Sequence, residues 1–204
     1  MNIARVLLIL LALPLAVASC GTTPASKYYL LSADVTEFPT DSSPSLGVGP
    51  VEIPEYLNRN SLIYNREGNR LHIASFERWA EPLDSSVERV VRLNLASMLN
   101  TGNVQGYPWP NNERPDYAVA INVLNLDAND HRASLVVEWQ IRRLEAEKTL
   151  LRRISALETD IEEGPVTAAE VAPAYSNLFF QLSTIIAREI STHLETLQEN
   201  EETN

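Results

Sequence analysis

Apolar positions change their period several times along this chain, and each change marks a boundary. Residues 6–17 are apolar almost without a break. Tyr28-Tyr29-Leu30-Leu31 form an apolar tetrad, and the Pro/Ser/Asp-rich stretch at 34–46 predicts a mobile loop. Val48, Val51 and Ile53 read as a strand that Gly49-Pro50 interrupts, a combination typical of an edge or a bulge. Leu62-Ile63-Tyr64 and Leu71-His72-Ile73-Ala74 flank a turn signal of hairpin length at 66–69.

The period then becomes helical. Leu83, Val87, Val90, Val91, Leu95, Met98 and Leu99 share one face, Ser85-x-x-Glu88 reads as a capping box, and Asn100-Thr101-Gly102 supplies the stop. Three alternating segments follow a proline-rich connection at 103–115. Tyr117, Val119, Ile121 and Val123 set the first, and Ala133, Leu135, Val137, Trp139 and Ile141 the second. Leu150, Arg152, Ile154 and Ala156 set the third. With turns at Asn129-Asp130 and 145–148 they predict an antiparallel meander. A second helix is expected over 168–197, capped by Thr167-x-x-Glu170, kinked or restarted at Pro173, and striped from Leu178 to Leu197. The order strands, helix, strands, helix points to a single domain of the α+β (mixed α/β) class. Its sheet is mixed or largely antiparallel, with two long amphipathic helices packed on one face.

The first apolar run does not fit that domain. One cation, Arg5, precedes twelve apolar residues that Pro14 interrupts, and small residues follow. As a helix the run reaches roughly 18 Å, short of a bilayer core, so it reads as a secretory leader. Val17-Ala18-Ser19-Cys20 resembles the bacterial lipoprotein box, and Cys20 is the chain's single cysteine. A lone thiol outside the cytoplasm is a liability unless it is modified, so Cys20 is expected to carry acyl chains such as palmitate. Two or three chains make anchorage effectively permanent. Gly21 stands where an inner-membrane retention aspartate commonly stands, which gives an outer-membrane address facing the periplasm.

The expected organisation is therefore a signal peptide at 1–19, the lipidated cysteine and a short tether at 20–27, a periplasmic domain at 28–197 and an acidic flexible tail at 198–204. The tether's six residues from Gly21 to Ser26 span at most about 20 Å when extended, so a partner from the opposite membrane has to come to this domain. The whole chain carries a net charge of −11, which opposes nucleic-acid binding and adhesion to an anionic bilayer.

Catalytic machinery is not legible. His72, His131 and His193 lie in three different expected elements without ligand spacing, and the Glu162-Glu163 pair is ordinary for an acidic loop. No Gly-x-Ser-x-Gly elbow or phosphate-cradling glycine loop occurs. The expectation is a non-enzyme without cofactor or metal. Tyr107-Pro108-Trp109-Pro110 stands apart, because aromatics held between prolines lose little entropy on ordering. Tyr107 and Trp109 either anchor an interface or lid the sheet edge.

Residues 47–99, taken with Cys20 and the Tyr28-Tyr29-Leu30 opening, resemble the PqiC (YmbA) family of auxiliary lipoproteins of ABC-type and MCE-type intermembrane transport systems. The matching pieces are Val51-Glu52-Ile53-Pro54-Glu55-Tyr56-Leu57 with Arg59, and Trp79-Ala80-Glu81-Pro82-Leu83, with Val137-Glu138-Trp139 further on. The resemblance implies a lipoprotein on the outer membrane that docks with a PqiB-like MCE-domain protein and its inner-membrane partner. It also implies a part in lipid transfer and membrane integrity, and a homo-oligomer, with a ring as one arrangement. Tyr56, Leu57 and Arg59 are the partner contacts it suggests, and Pro54, Trp79, Glu81 and Pro82 are structural motif positions. Competing readings are an envelope hydrolase and a peptidoglycan-binding structural lipoprotein.

Overall fold

Period two and period 3.6 become strands and helices in the expected order. The computed structural model describes residues 24–67, 70–161 and 165–202. Strand β1 spans Lys27–Tyr29, β2 Leu46–Glu52, β3 Ser61–Glu67 and β4 Arg70–Trp79, and helix α1 spans Leu83–Met98. Strands β5 (Val104–Gly106), β6 (Tyr117–Ala128), β7 (Arg132–Arg143) and β8 (Lys148–Asp160) follow, and helix α2 covers Ala168–Glu202. The leader, Cys20, the Glu162-Glu163 pair and the hairpin residues 68 and 69 lie outside the described residues.

The class is α+β in one domain, and the strands divide between two sheets, β1-β4-β3 and β5-β2-β6-β7-β8. Strands β6, β7 and β8 form the antiparallel meander, while β2 runs parallel to both β5 and β6. The smaller sheet joins the β3–β4 hairpin to a parallel β1. Helix α1 packs on β2 and β5, α2 packs on β7 and β8, and the helices touch each other. Leu46, Val48, Val90, Leu95, Val119, Val137, Phe179 and Ile186 are wholly buried between these layers. Burying each such side chain contributes about 1.5–3 kcal/mol, and this slab is the main store of stability.

The Gly49-Pro50 interruption is a bulge, for the β2–β6 register shifts between Val48 and Val51. Strand β2 is flanked on both sides only as far as Val48, where the β5 pairing stops. Strand β8 differs from the expected alternation. Arg153, Ser155 and Leu157 pair with Trp139, Val137 and Leu135 and so share the helix-covered face. Ile154 instead pairs with Glu138 and is 66% exposed. A one-residue change of register moves every side chain to the opposite face, and the apolar face of β7 decides it. The inward polar groups are satisfied by neighbours: Trp139 Nε1 donates to Ser155 Oγ at 2.9 Å, and Arg153 Nη1 donates to Glu189 Oε1 on α2 at 2.9 Å.

Helix boundaries also correct the motif reading. Ser85-x-x-Glu88 is not a cap: α1 starts at Leu83 behind Pro82, and no side chain bonds the cap. Asp84 Oδ1 accepts the Ser85 N–H at 2.8 Å, while Glu88 pairs with Arg92 at 3.4 Å. A carboxylate in the first turn meets the positive end of the helix dipole without a box. At the other end Asn100, not Gly102, takes the left-handed conformation with φ 49°. Its N–H reaches Ser97 O, and the Thr101 N–H reaches Ala96 O, a Schellman closure. Thr167 and Glu170 do bond at the start of α2, with both the Thr167 N–H and its hydroxyl donating to Glu170 Oε2 at 2.8 Å. Helix α2 runs through Pro173 without a break and continues to Glu202.

The segment expected to be a mobile loop is stitched down instead. Asn94 Oδ1 accepts the Asp34 N–H at 3.0 Å, and Asn100 Oδ1 accepts the Thr40 N–H at 2.9 Å. Asp116 Oδ2 accepts both the N–H and the hydroxyl of Ser45. These acceptors lie about 60–70 residues away in sequence, where local composition does not reveal them.

Candidate interaction site

The corner Trp79-Ala80-Glu81-Pro82 connects the smaller sheet to α1. Trp79 is only 4% exposed and stacks on Tyr175 of α2, with ring centroids 6.3 Å apart and planes 27° apart. Tyr175 Oη donates to Ile63 O at 3.3 Å. Burial raises the Tyr175 phenol well above its ordinary range, and the charge of Asp127 adds to this. Trp79 therefore seals the core under the helix.

Glu81 gathers three donors. Ser86 Oγ bonds its Oε1 at 2.6 Å, and Arg89 bonds the same oxygen through Nε at 2.9 Å and Nη2 at 2.6 Å. Arg89, from α1, also donates through Nη2 to Leu31 O at 2.9 Å. Burial alone would raise the Glu81 pKa. The bonds from Arg89 and Ser86 and the Arg89 charge outweigh it, so the carboxyl sits below its ordinary value. This knot ties the start of α1 to the exit of β1.

Pro54 leads into a 3-10 turn at Glu55–Leu57. Tyr56 Oη shares its proton between Asn125 Oδ1 at 3.2 Å and Leu126 O at 3.4 Å, and it accepts the Leu126 N–H at 3.3 Å. These partners stand beside the β6–β7 irregularity between Val123 and Asn125. Partial burial raises the Tyr56 pKa; the Leu126 bond opposes that and the Asp127 charge reinforces it. Leu57 is 4% exposed and belongs to the core, so it offers no surface to a partner in this fold. Arg59 is exposed.

Tyr107 and Trp109 follow β5 and make an edge-to-face pair, with centroids 5.2 Å apart and planes at 85°. They rest on bare backbone. A Cβ on Gly47 would lie 2.7 Å from Trp109 Cζ3 and 2.7 Å from Pro115 Cγ. Gly49 has φ +120°, and a Cβ there would lie 2.5 Å from Tyr107 Cβ. Gly47 and Gly49, two apart on β2, were the missed signal: a strand with glycines at this spacing leaves a floor on which rings can lie. The loop lids the sheet, and Tyr107 stays 50% exposed above it.

The histidines do not converge. His72 lies beside Tyr64, His131 sits in the β6–β7 turn, and His193 meets Tyr117 edge-on at 6.0 Å. Among the described residues no group of three or more His, Cys, Asp or Glu is placed to hold a metal ion. Among the same residues no helix is long and apolar enough to cross a membrane.

The family model of the ABC-type transport auxiliary lipoprotein component matches residues 28–187, from β1 to the middle of α2. The chain belongs to this family. The protein is thus a lipoprotein component of a transport system, and the domain described above is the family's domain. Two crystal structures share its fold. One, of an uncharacterised protein, has 23% identity and a TM-score of 0.66 over 82% of this chain and 99% of its own. The other, protein XCC0632 from Xanthomonas campestris, has 18% identity and a TM-score of 0.66 over 87% of this chain and 99% of its own. A comparison with curated proteins returns no match.

Proposed function

We propose that this auxiliary lipoprotein is held on the periplasmic face of the outer membrane through acylated Cys20 and serves as the docking subunit for an MCE-domain protein. In that role it lets lipid pass between the membranes and supports membrane integrity without catalysing a reaction. The observation that carries the reading is the family match across nearly all of the folded domain. The lipoprotein box at Cys20 and the short tether support the anchorage. Tyr107, half exposed on a loop braced by Trp109, supports docking, because a pre-ordered aromatic supplies contact area at low entropic cost. Arg59 adds an exposed cation. The resemblance further supports a homo-oligomer, with a ring as one arrangement.

The test compares wild type with Cys20→Ala and with Tyr107→Ala/Trp109→Ala in cells that carry the partner. Mass spectrometry is expected to find Cys20 acylated in the outer-membrane fraction, and affinity capture to recover the MCE-domain protein. Cys20→Ala is expected to leave a folded domain released from the membrane, and the double variant to lose capture while keeping its anchor. A bare Cys20, or retention on purified sacculi in place of capture, would overturn the reading.

A further inference from the structure

Five of the ten exposed large hydrophobic side chains among the described residues belong to the three-stranded sheet or its exit: Tyr28 at 65%, Leu30 at 50%, Ile73 at 48%, Leu71 at 43% and Phe76 at 40%. The other five are scattered over loops, α1 and the larger sheet. Isolated surface hydrophobics need no explanation, but a concentration on one small sheet does. The sequences of its three strands hold four cations, Lys27, Arg66, Arg70 and Arg78, against two carboxylates, Glu67 and Glu77, with Lys27 Nζ 3.9 Å from Glu77 Oε1. The chain as a whole has a net charge of −11, so this sheet runs against the prevailing sign.

Position identifies the occupant. Tyr28 follows Cys20 by eight residues, which reach at most roughly 28 Å when extended. We infer that the three-stranded sheet rests on the phospholipid interface of the bilayer that holds Cys20, with Tyr28, Leu30 and the β4 hydrophobics in the headgroup layer. Lys27, Arg70 and Arg78 lie near lipid phosphates. Tyrosine suits that layer, since its ring is apolar and its hydroxyl stays wet. A tether this short holds the sheet at millimolar effective concentration against the surface, so five partly exposed side chains suffice. The docked sheet leaves the acidic remainder of the domain turned away from the membrane. The inference rests on the acylation of Cys20 proposed above.

The acylated sulfur leaves no other thiol in the chain, so a cysteine introduced elsewhere takes a nitroxide label alone. Tyr28→Cys, Ile73→Cys and Phe76→Cys, with Glu145→Cys in the β7–β8 turn as reference, are labelled in the full lipidated protein. They are reconstituted into vesicles of phosphatidylethanolamine and phosphatidylglycerol. Relaxation by dissolved oxygen and by a water-soluble nickel chelate is measured in detergent and in vesicles. The expected result is that labels at 28, 73 and 76 lose collisions with the chelate and gain collisions with oxygen on reconstitution, while the label at 145 is unchanged. Equal chelate access at all four positions, with Cys20 shown acylated by mass spectrometry, would overturn the docking and spare the anchorage. Spin–spin broadening at 28, 73 or 76 already present in detergent would overturn it in favour of a second copy. A bare Cys20 would remove the anchorage itself.

Discussion

The two sheets differ in how completely the chain covers them. The five-stranded sheet has both helices on one face, and its inward strand residues, such as Val119, Leu135 and Val137, are fully buried. The three-stranded sheet buries Leu62, Ala74 and Trp79, yet leaves Leu71, Ile73 and Phe76 of one strand more than a third exposed. Apolar content is similar in kind on both; what differs is whether an element of the same chain arrives to cover it. The larger sheet holds the fold together, and the smaller one keeps free surface next to the tether.

Substitutions at the seam between the sheets break this contrast most strongly. Trp79→Ala opens a cavity against Tyr175 and is expected to cost about 3–5 kcal/mol in urea unfolding, whereas Phe76→Ala on the same strand stays within about 0.5 kcal/mol. Equal losses would mean that the smaller sheet is as thoroughly packed as the larger. On the outer face of the larger sheet, Gly47→Val is expected to cost about 1–3 kcal/mol by pushing Trp109 off its floor. Tryptophan emission should shift to the red with it, since the other two tryptophans, Trp79 and Trp139, are buried.

Tyr56→Phe removes the hydroxyl that links the 3-10 turn to β6, and a loss of about 1 kcal/mol is expected with partner capture intact. Loss of capture without loss of stability would move Tyr56 from a structural tie to a contact. The smallest effect belongs to Glu81→Gln, whose carboxylate is partly solvated and screened. Because the folded pKa of Glu81 lies below its ordinary value, its contribution is present above the unfolded pKa near 4.3 and is lost as pH falls through the folded value. Melting curves of wild type and variant are therefore expected to differ at neutral pH and to converge in acid.

Much of the architecture was legible in the sequence because periodicity is local. The meander, the hairpin and both helices announce themselves within windows of a dozen residues. The face of β8 was not legible, because Ile154 and Leu157 are equally apolar and only pairing with β7 selects between them. The 34–46 segment looked mobile because its composition is that of a loop, while its restraint comes from Asn94, Asn100 and Asp116 far along the chain. Of the residues singled out for a partner, Leu57 went into the core, and Tyr56 bonds the backbone of β6. Arg59 and Tyr107 keep exposed surface. The glycines that seat Tyr107 and Trp109 were in view all along, but their use depends on a loop arriving from residues 107–115.

By itself the sequence determined the anchor motif, the family resemblance, the class and the order of elements, since these depend on residue type and short spacing. Only the tertiary structure decided the division into two sheets, the facing of β8, the carboxylate that Arg89 holds and the apolar surface left uncovered. Those outcomes depend on which distant segments meet, and a hydrophobic or charged side chain has no preference among partners until packing brings one within reach.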